Sequence, residues 1–254
     1  FICRFVRRRG ENEGLGDLII RCTGSVFGRI LCAVFLMWVL FYSGFILRTS
    51  SERLLSTIFA NGKLPAISFI MLLAVLSTAY GSIKTVAGMG EILSVLIGGA
   101  LTVTLVASLK DVKMDYLLPV TPDSVPGIFK ASVIVFDIST AIAYVAFLSG
   151  YAKKRDDEVK MGVRWGVYGI IAMFAITVCT GGKMSAPLLA KTQNPFFIMI
   201  KNISALGVIE RIESVVVGMW VFTDFLYLTV LMNIAVVLFE DIFGKKKNAK
   251  PAVC

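Results

Sequence analysis

Six apolar runs set the terms on which this chain can fold: residues 25–47, 64–80, 92–108, 131–150, 164–181 and 214–239. A helix needs about 20 predominantly apolar residues to cross a hydrocarbon core, or about 17 at the short end, and each run meets that. Inside lipid every backbone N–H and C=O must be satisfied within its own segment, and a helix does this without water. The pattern predicts an all-α, polytopic helical membrane protein. The second and third runs are the shortest, and their ends are expected to tilt or re-enter. A mean hydropathy of +0.81 is well outside the range of an ordinary soluble domain.

A formal charge of +9 would suit nucleic acid if the basic residues formed one face interleaved with aromatics. They cluster beside the apolar runs instead. Arg7, Arg8 and Arg9, then Lys153, Lys154 and Arg155, then Lys245, Lys246 and Lys247 all fall on one side when the six runs are threaded alternately. Arg48, Arg53, Lys63, Lys110, Lys113, Lys130, Lys183, Lys191, Lys201 and Arg211 are scattered singly on the other side. By the positive-inside rule both ends face the cytoplasm, as an even number of spans requires. The partner implied by the charge is the lipid bilayer, and no nucleic acid.

Much chemistry is excluded by one absence. The chain has no histidine, so it carries no Ser-His-Asp or Cys-His arrangement and no His-based zinc site. Cys3, Cys22, Cys32, Cys179 and Cys254 form no C-x-x-C pair, and isolated cysteines in apolar helices are packing residues. No metal, cofactor or enzymatic activity is expected. The glycines of TVAGMGEIL and CTGGKM sit at run boundaries, where loop or close-packing roles outweigh phosphate binding. The stretch FICRFVRRR reads as the last turn of an apolar helix followed by a basic anchor, and FGKKKNAKPAVC ends as another apolar segment would begin. The chain therefore reads as a fragment at both ends.

Three connections carry information. Residues 46–65 place Leu54, Leu55, Ile58 and Phe59 at helical spacing, consistent with a short amphipathic helix in the outer interface. Residues 111–130 contain three prolines and read as an ordered outer loop leading to a helix. Residues 181–211 mix apolar and polar residues too evenly for a span and predict one or two interfacial helices. Lys84 and Glu91 read as interfacial anchors.

Two acids interrupt apolar runs. Glu210, Glu213, Val217, Trp220, Asp224 and Tyr227 share a helix face by their spacing. Asp224 stands about 16 Å beyond Glu213 at 1.5 Å per residue, near the middle of a core about 30 Å thick. A carboxylate facing lipid there costs about 2.5–3.5 kcal/mol on insertion scales, so Asp224 is expected to point into the bundle and to need a partner, a proton or a cavity. In the 131–150 run, Asp137, Ser139 and Thr140 compete for backbone hydrogen bonds. Either the helix breaks there, with Asp137 capping a second half and exposing N–H groups to a ligand, or it continues with a structural Asp. In the first run Phe35, Trp38 and Tyr42 share a face, which fits packing or a ligand platform, and Arg29 lies inside the run. Glu210, Arg211 and Glu213 suit either a gate or an ion-pair knot between helices.

The stretch GVIERIESVVVGMW resembles the endospore germination permeases, the B subunits of nutrient germinant receptors, in which a Glu-Arg-hydrophobic-Glu cluster precedes an apolar helix with Trp. GSVFGRIL after a basic run, LPAISFIMLLAVLSTAYGSIKTVAGMGEIL, and DYLLPV before the helix with the acid follow in the same order. The resemblance covers most of the chain. It implies a ten-helix inverted-repeat fold like the amino acid permeases, LeuT-like, with residues 1–254 forming a single partial domain equivalent to family helices three to eight. The interrupted sixth helix would bear Asp137. On this mapping Trp38, Tyr42, Asp137, Ser139, Thr140, Trp220 and Asp224 line a ligand site. The implied function is binding of a small nutrient, an amino acid, that triggers spore germination. The implied setting is the spore inner membrane, with an A-type membrane subunit and a C-type lipoprotein subunit as partners. A secondary amino acid transporter is the rival reading, and a scaffold subunit a third.

Overall fold

The computed structural model describes residues 13–57, 59, 61–81, 83–118, 122–132, 144–151, 158–192, 194–201 and 212–244. Among them the regular structure is helical and no strand occurs. In chain order the α-helices are α1 (Leu15–Thr23), α2 (Ser25–Thr57), α3 (Leu64–Ala79), α4 (Ile83–Ser108), α5 (Glu158–Lys183), α6 (Ala186–Lys191), α7 (Pro195–Lys201) and α8 (Ile212–Phe243), with further helical turns at 125–132. Helices α2, α4, α5 and α8 are long and apolar enough to cross a membrane, and α3 is a shorter apolar helix. The chain is an all-α polytopic membrane protein.

Two boundaries differ from the sequence reading. Helix α2 does not end near residue 47 but runs for 33 residues, so the stretch expected to form a separate interfacial helix is its continuation. The polar residues there satisfy themselves along the helix. Thr49 Oγ1 donates to Phe45 O at 2.9 Å and Ser51 Oγ to Leu47 O at 2.8 Å, and Arg48 Nε pairs with Glu52 Oε1 at 2.9 Å. Helix α4 begins at Ile83, which puts Lys84 and Glu91 within a helix of 26 residues rather than beside a short span. Of its glycines, Gly90 faces α8, where a Cβ would lie 3.4 Å from Leu226 Cδ2, while Gly88, Gly98 and Gly99 have open space around them.

The two later connections hold short helical elements where they are described. Leu109–Asp111, Met114–Tyr116 and Pro122–Ser124 form short 3-10 turns before the helical turns at 125–132. The segment after α5 holds two short helices, α6 and α7. Of the 131–150 run, the described part is helical at 131–132 and 3-10 over Val145–Tyr151; Asp137, Ser139 and Thr140 lie outside the described residues.

The chain divides into two compact units. One comprises Phe1–Ile92, Asp137–Val159 and Val221–Cys254, the other Leu93–Phe136 and Lys160–Trp220. In the first, Leu228, Leu231, Ile234, Ala235 and Leu238 recur three and four residues apart on α8 and are all buried. Leu231, Ile234, Ala235 and Leu238 meet Cys32 and Val39 of α2 and Phe147 of the 3-10 turn, while Leu228 packs on Met71 and Val75 of α3. Lipid tails are as apolar as leucine, so van der Waals fit rather than water exclusion holds this face together. Small residues permit the approach, Cys32 and Ala235 among them.

Helix α1 belongs to this core. Its residues precede the first apolar run and are too few to span a membrane, yet Leu15 is buried and Leu18, Ile19 and Ile20 pack on the same cluster. The Asp17 carboxylate accepts the Gly14 N–H at 2.9 Å and secures the helix start. Gly24, at φ 87°, makes the corner into α2, a backbone angle that side chains resist. A Cβ on Gly28 would fall 2.5 Å from the Ile20 Cα, so only glycine lets the two helices meet there. At the same end Tyr151 Oη donates to Glu240 Oε2 at 3.2 Å, and burial together with that carboxylate pushes the phenol well above the usual tyrosine range.

The second unit is held by Cys179, Met199 and Ile200, with Leu105, Phe196 and Val216 around them. Lys113 N donates to Gly182 O at 2.8 Å, and a Cβ on Gly182 would meet Val112 Cγ1 at 2.5 Å, so these glycines also serve close packing.

Candidate functional site

Asp224 and Tyr227 stand one turn apart on the same face of α8. Asp224 has found the partner its position required. Its Oδ2 accepts Arg53 Nη1 at 2.6 Å and Ser50 Oγ at 2.7 Å, both from the last turns of α2. Both members of the ion pair have side chains 17% exposed. Ser50 and Arg53, three residues apart, share one helix face, so a single face of α2 delivers both donors. Low exposure strengthens the attraction between the charges and raises the cost of separating them. Both donors meet the same oxygen. Among the described residues no donor reaches Asp224 Oδ1.

Beyond Tyr227 the seam becomes aromatic. Tyr42 meets Tyr227 edge-on at 6.3 Å between ring centroids and stacks on Tyr144 at 6.1 Å and on Trp38 at 6.4 Å. Trp38 Nε1 donates to Tyr144 Oη at 2.6 Å, so the indole is fixed at its polar edge while half of its surface stays open. Phe35 and Phe147 extend the cluster at 5.5 Å. The result is a strip running from a carboxylate to a set of ring faces, a combination that attracts cations on both counts.

Of the residues chosen from sequence, Trp38, Tyr42 and Asp224 lie along this strip, linked through Tyr227. Trp220 belongs to the other unit, where it meets Phe196 edge-on at 6.5 Å. Asp137, Ser139, Thr140, Glu210 and Arg211 lie outside the described residues, and Glu213 falls in the first turn of α8. Arg29 stands at the C-terminal end of α8, where a Cβ on Gly244 would come 3.4 Å from its Nη2; a cation there is favoured by the helix dipole.

Sequence reasoning missed Ser50, Arg53 and Tyr144. Ser50 and Arg53 carried a signal, because their spacing of three places both on one face of any helix extended past residue 47. Tyr144 carried none, since its partners are remote in the chain.

An apolar cavity of about 610 Å³ lies between α3 and α8, lined by Ile67, Met71, Ala74, Phe222 and Phe225 among others, with Lys63 at the start of α3. Its size suits a small molecule, but its walls offer almost no polar group to orient one.

Comparisons with curated proteins and with solved structures return no match. Among family models, one described as spore germination protein matches residues 7–254. The chain therefore belongs to the spore germination permease family.

Proposed function

We propose that this chain is the membrane subunit of a nutrient germinant receptor in the spore inner membrane, binding an amino acid within the bundle and triggering germination. The observation that carries the reading is Asp224, a carboxylate held by Arg53 and Ser50 inside a membrane-spanning helix, one turn from Tyr227, whose ring meets Tyr42. Intramembrane acids are expensive to keep and mark ligand or ion pathways. Membership of the spore germination family supplies the physiological setting. Binding without covalent chemistry suffices: an amino acid that prefers one arrangement of the helices shifts the receptor toward it by its differential affinity. Asp137, with Ser139 and Thr140 next to it in the chain, is assigned to the same ligand, with backbone N–H groups at a helix break there meeting the ligand's carboxylate. Trp220 is assigned to ligand binding as well, and Glu210, Arg211 and Glu213 to a gate. The residues act as one permease-like domain of the amino acid permease type, both ends cytoplasmic, working with an A-type membrane subunit and a C-type lipoprotein subunit.

Exchange of this subunit between two receptors of different germinant specificity tests the reading. Specificity is expected to follow the subunit. If it stays with the other subunits, this chain anchors partners and does not sense. Strong concentrative uptake of labelled amino acid into proteoliposomes would instead make it a transporter.

A further inference from the structure

Arg53 and Ser50 both approach Asp224 from one side and both bind Oδ2, so the carboxylate is held by one oxygen and keeps the other, Oδ1, without a donor among the described residues. A carboxylate has about four lone-pair sites, and a bidentate guanidinium would occupy both oxygens. Here the Arg53 contact recorded at Asp224 is through Nη1 to Oδ2 alone. Tyr227 stands one turn from the acid on the same face of α8, and its ring meets that of Tyr42.

We propose that Asp224 Oδ1 is the acceptor for the ammonium group of a zwitterionic amino acid, and that Arg53 and Ser50 are positioning residues that hold the carboxylate turned toward it. This rests on the receptor reading above and names the site's recognition chemistry. The Arg53–Asp224 pair is neutral as a unit. A zwitterion adds no net charge to it, whereas a bare amine adds one charge and a des-amino acid brings a carboxylate with no donor for Oδ1. In a low-dielectric site such an imbalance is heavily penalised.

The test uses spores whose only receptor contains this full-length subunit, and reads germination against concentration for the twenty amino acids and for the des-amino acid of each responder. Wild-type spores are expected to respond to at least one amino acid and not to its des-amino counterpart. Ser50→Ala is expected to raise the half-maximal concentration about tenfold at unchanged receptor level, as loss of a hydrogen bond to a charged group does. Arg53→Gln is expected to lose the response and Arg53→Lys to recover part of it. A merely structural pair would lower receptor level in Arg53→Gln but leave the half-maximal concentration of the remaining receptor unmoved, and would leave Ser50→Ala unchanged; that result overturns the proposal. A des-amino acid as active as its parent also overturns it, and needs no variant to fold. If wild-type spores respond to no amino acid, the receptor reading itself fails.

Discussion

Trp38 and Tyr144, 106 residues apart in the chain, are joined by a 2.6 Å hydrogen bond from the indole N–H to the phenol oxygen. The bond ties α2 to the residue that leads into the Val145–Tyr151 segment and leaves the indole stacked on Tyr42. The chain has 3 tryptophans, so emission can be assigned by substitution. A ligand at Asp224 is expected to change Trp38 emission. Trp38→Phe should abolish the amino-acid-dependent change, whereas Trp165→Phe, removing an exposed ring that meets Tyr168, should preserve it. Persistence of the signal in Trp38→Phe would place the ligand elsewhere.

The buried pair gives an asymmetric expectation for stability. Removing one partner strands the other charge, so Arg53→Ala should destabilise the protein by about 3–5 kcal/mol, whereas Arg53→Met with Asp224→Leu should come close to wild type. Thermal melting of the purified protein in detergent reads both. A double variant as unstable as the single one would show that the pair is not compensated as described.

Leu231 is fully buried on the α8 face that meets Cys32 and Val39. Leu231→Ala leaves a cavity and should cost about 2–5 kcal/mol. Phe222→Ala, at 56% exposed, should cost clearly less in the same melt. Equal losses would mean that α8 does not pack by this face.

Glycine at the corner between α1 and α2 gives a local prediction. Gly28→Ala forces its Cβ against the Ile20 backbone and should cost about 1–3 kcal/mol, with α1 the first element to open to limited proteolysis. Gly98→Ala has open space around it and should show no such loss. Equal protease resistance of α1 in Gly28→Ala and wild type would contradict the close contact.

The long runs that became α5 and α8 were legible because length and hydropathy alone decide whether a helix can cross lipid. The end of α2 was not. Hydropathy counts Ser50, Ser51 and Arg53 as leaving the membrane, yet Ser50 and Ser51 are buried, since hydroxyls bond back along the helix or across to Asp224. Arg53 read as an outer-loop charge because its partner lies 171 residues away, and nothing local in the sequence announces such a pairing. In α1 the spacing of Leu15, Leu18 and Ile19 was present, but the segment precedes the first apolar run and is too short to span a membrane. The site was legible in part for a chemical reason: an acid in an apolar helix must be answered, so Asp224 stood out, while the residues that answer it did not.

The central claim is that this subunit binds an amino acid through Asp224. Equilibrium binding of a labelled germination-active amino acid to the solubilised receptor measures it directly. Wild-type receptor should bind saturably, and Asp224→Asn, present at the same level, should bind at least about tenfold more weakly, because a charge-assisted hydrogen bond has become a neutral one. Saturable binding of undiminished affinity in Asp224→Asn, or none in wild type, would contradict it.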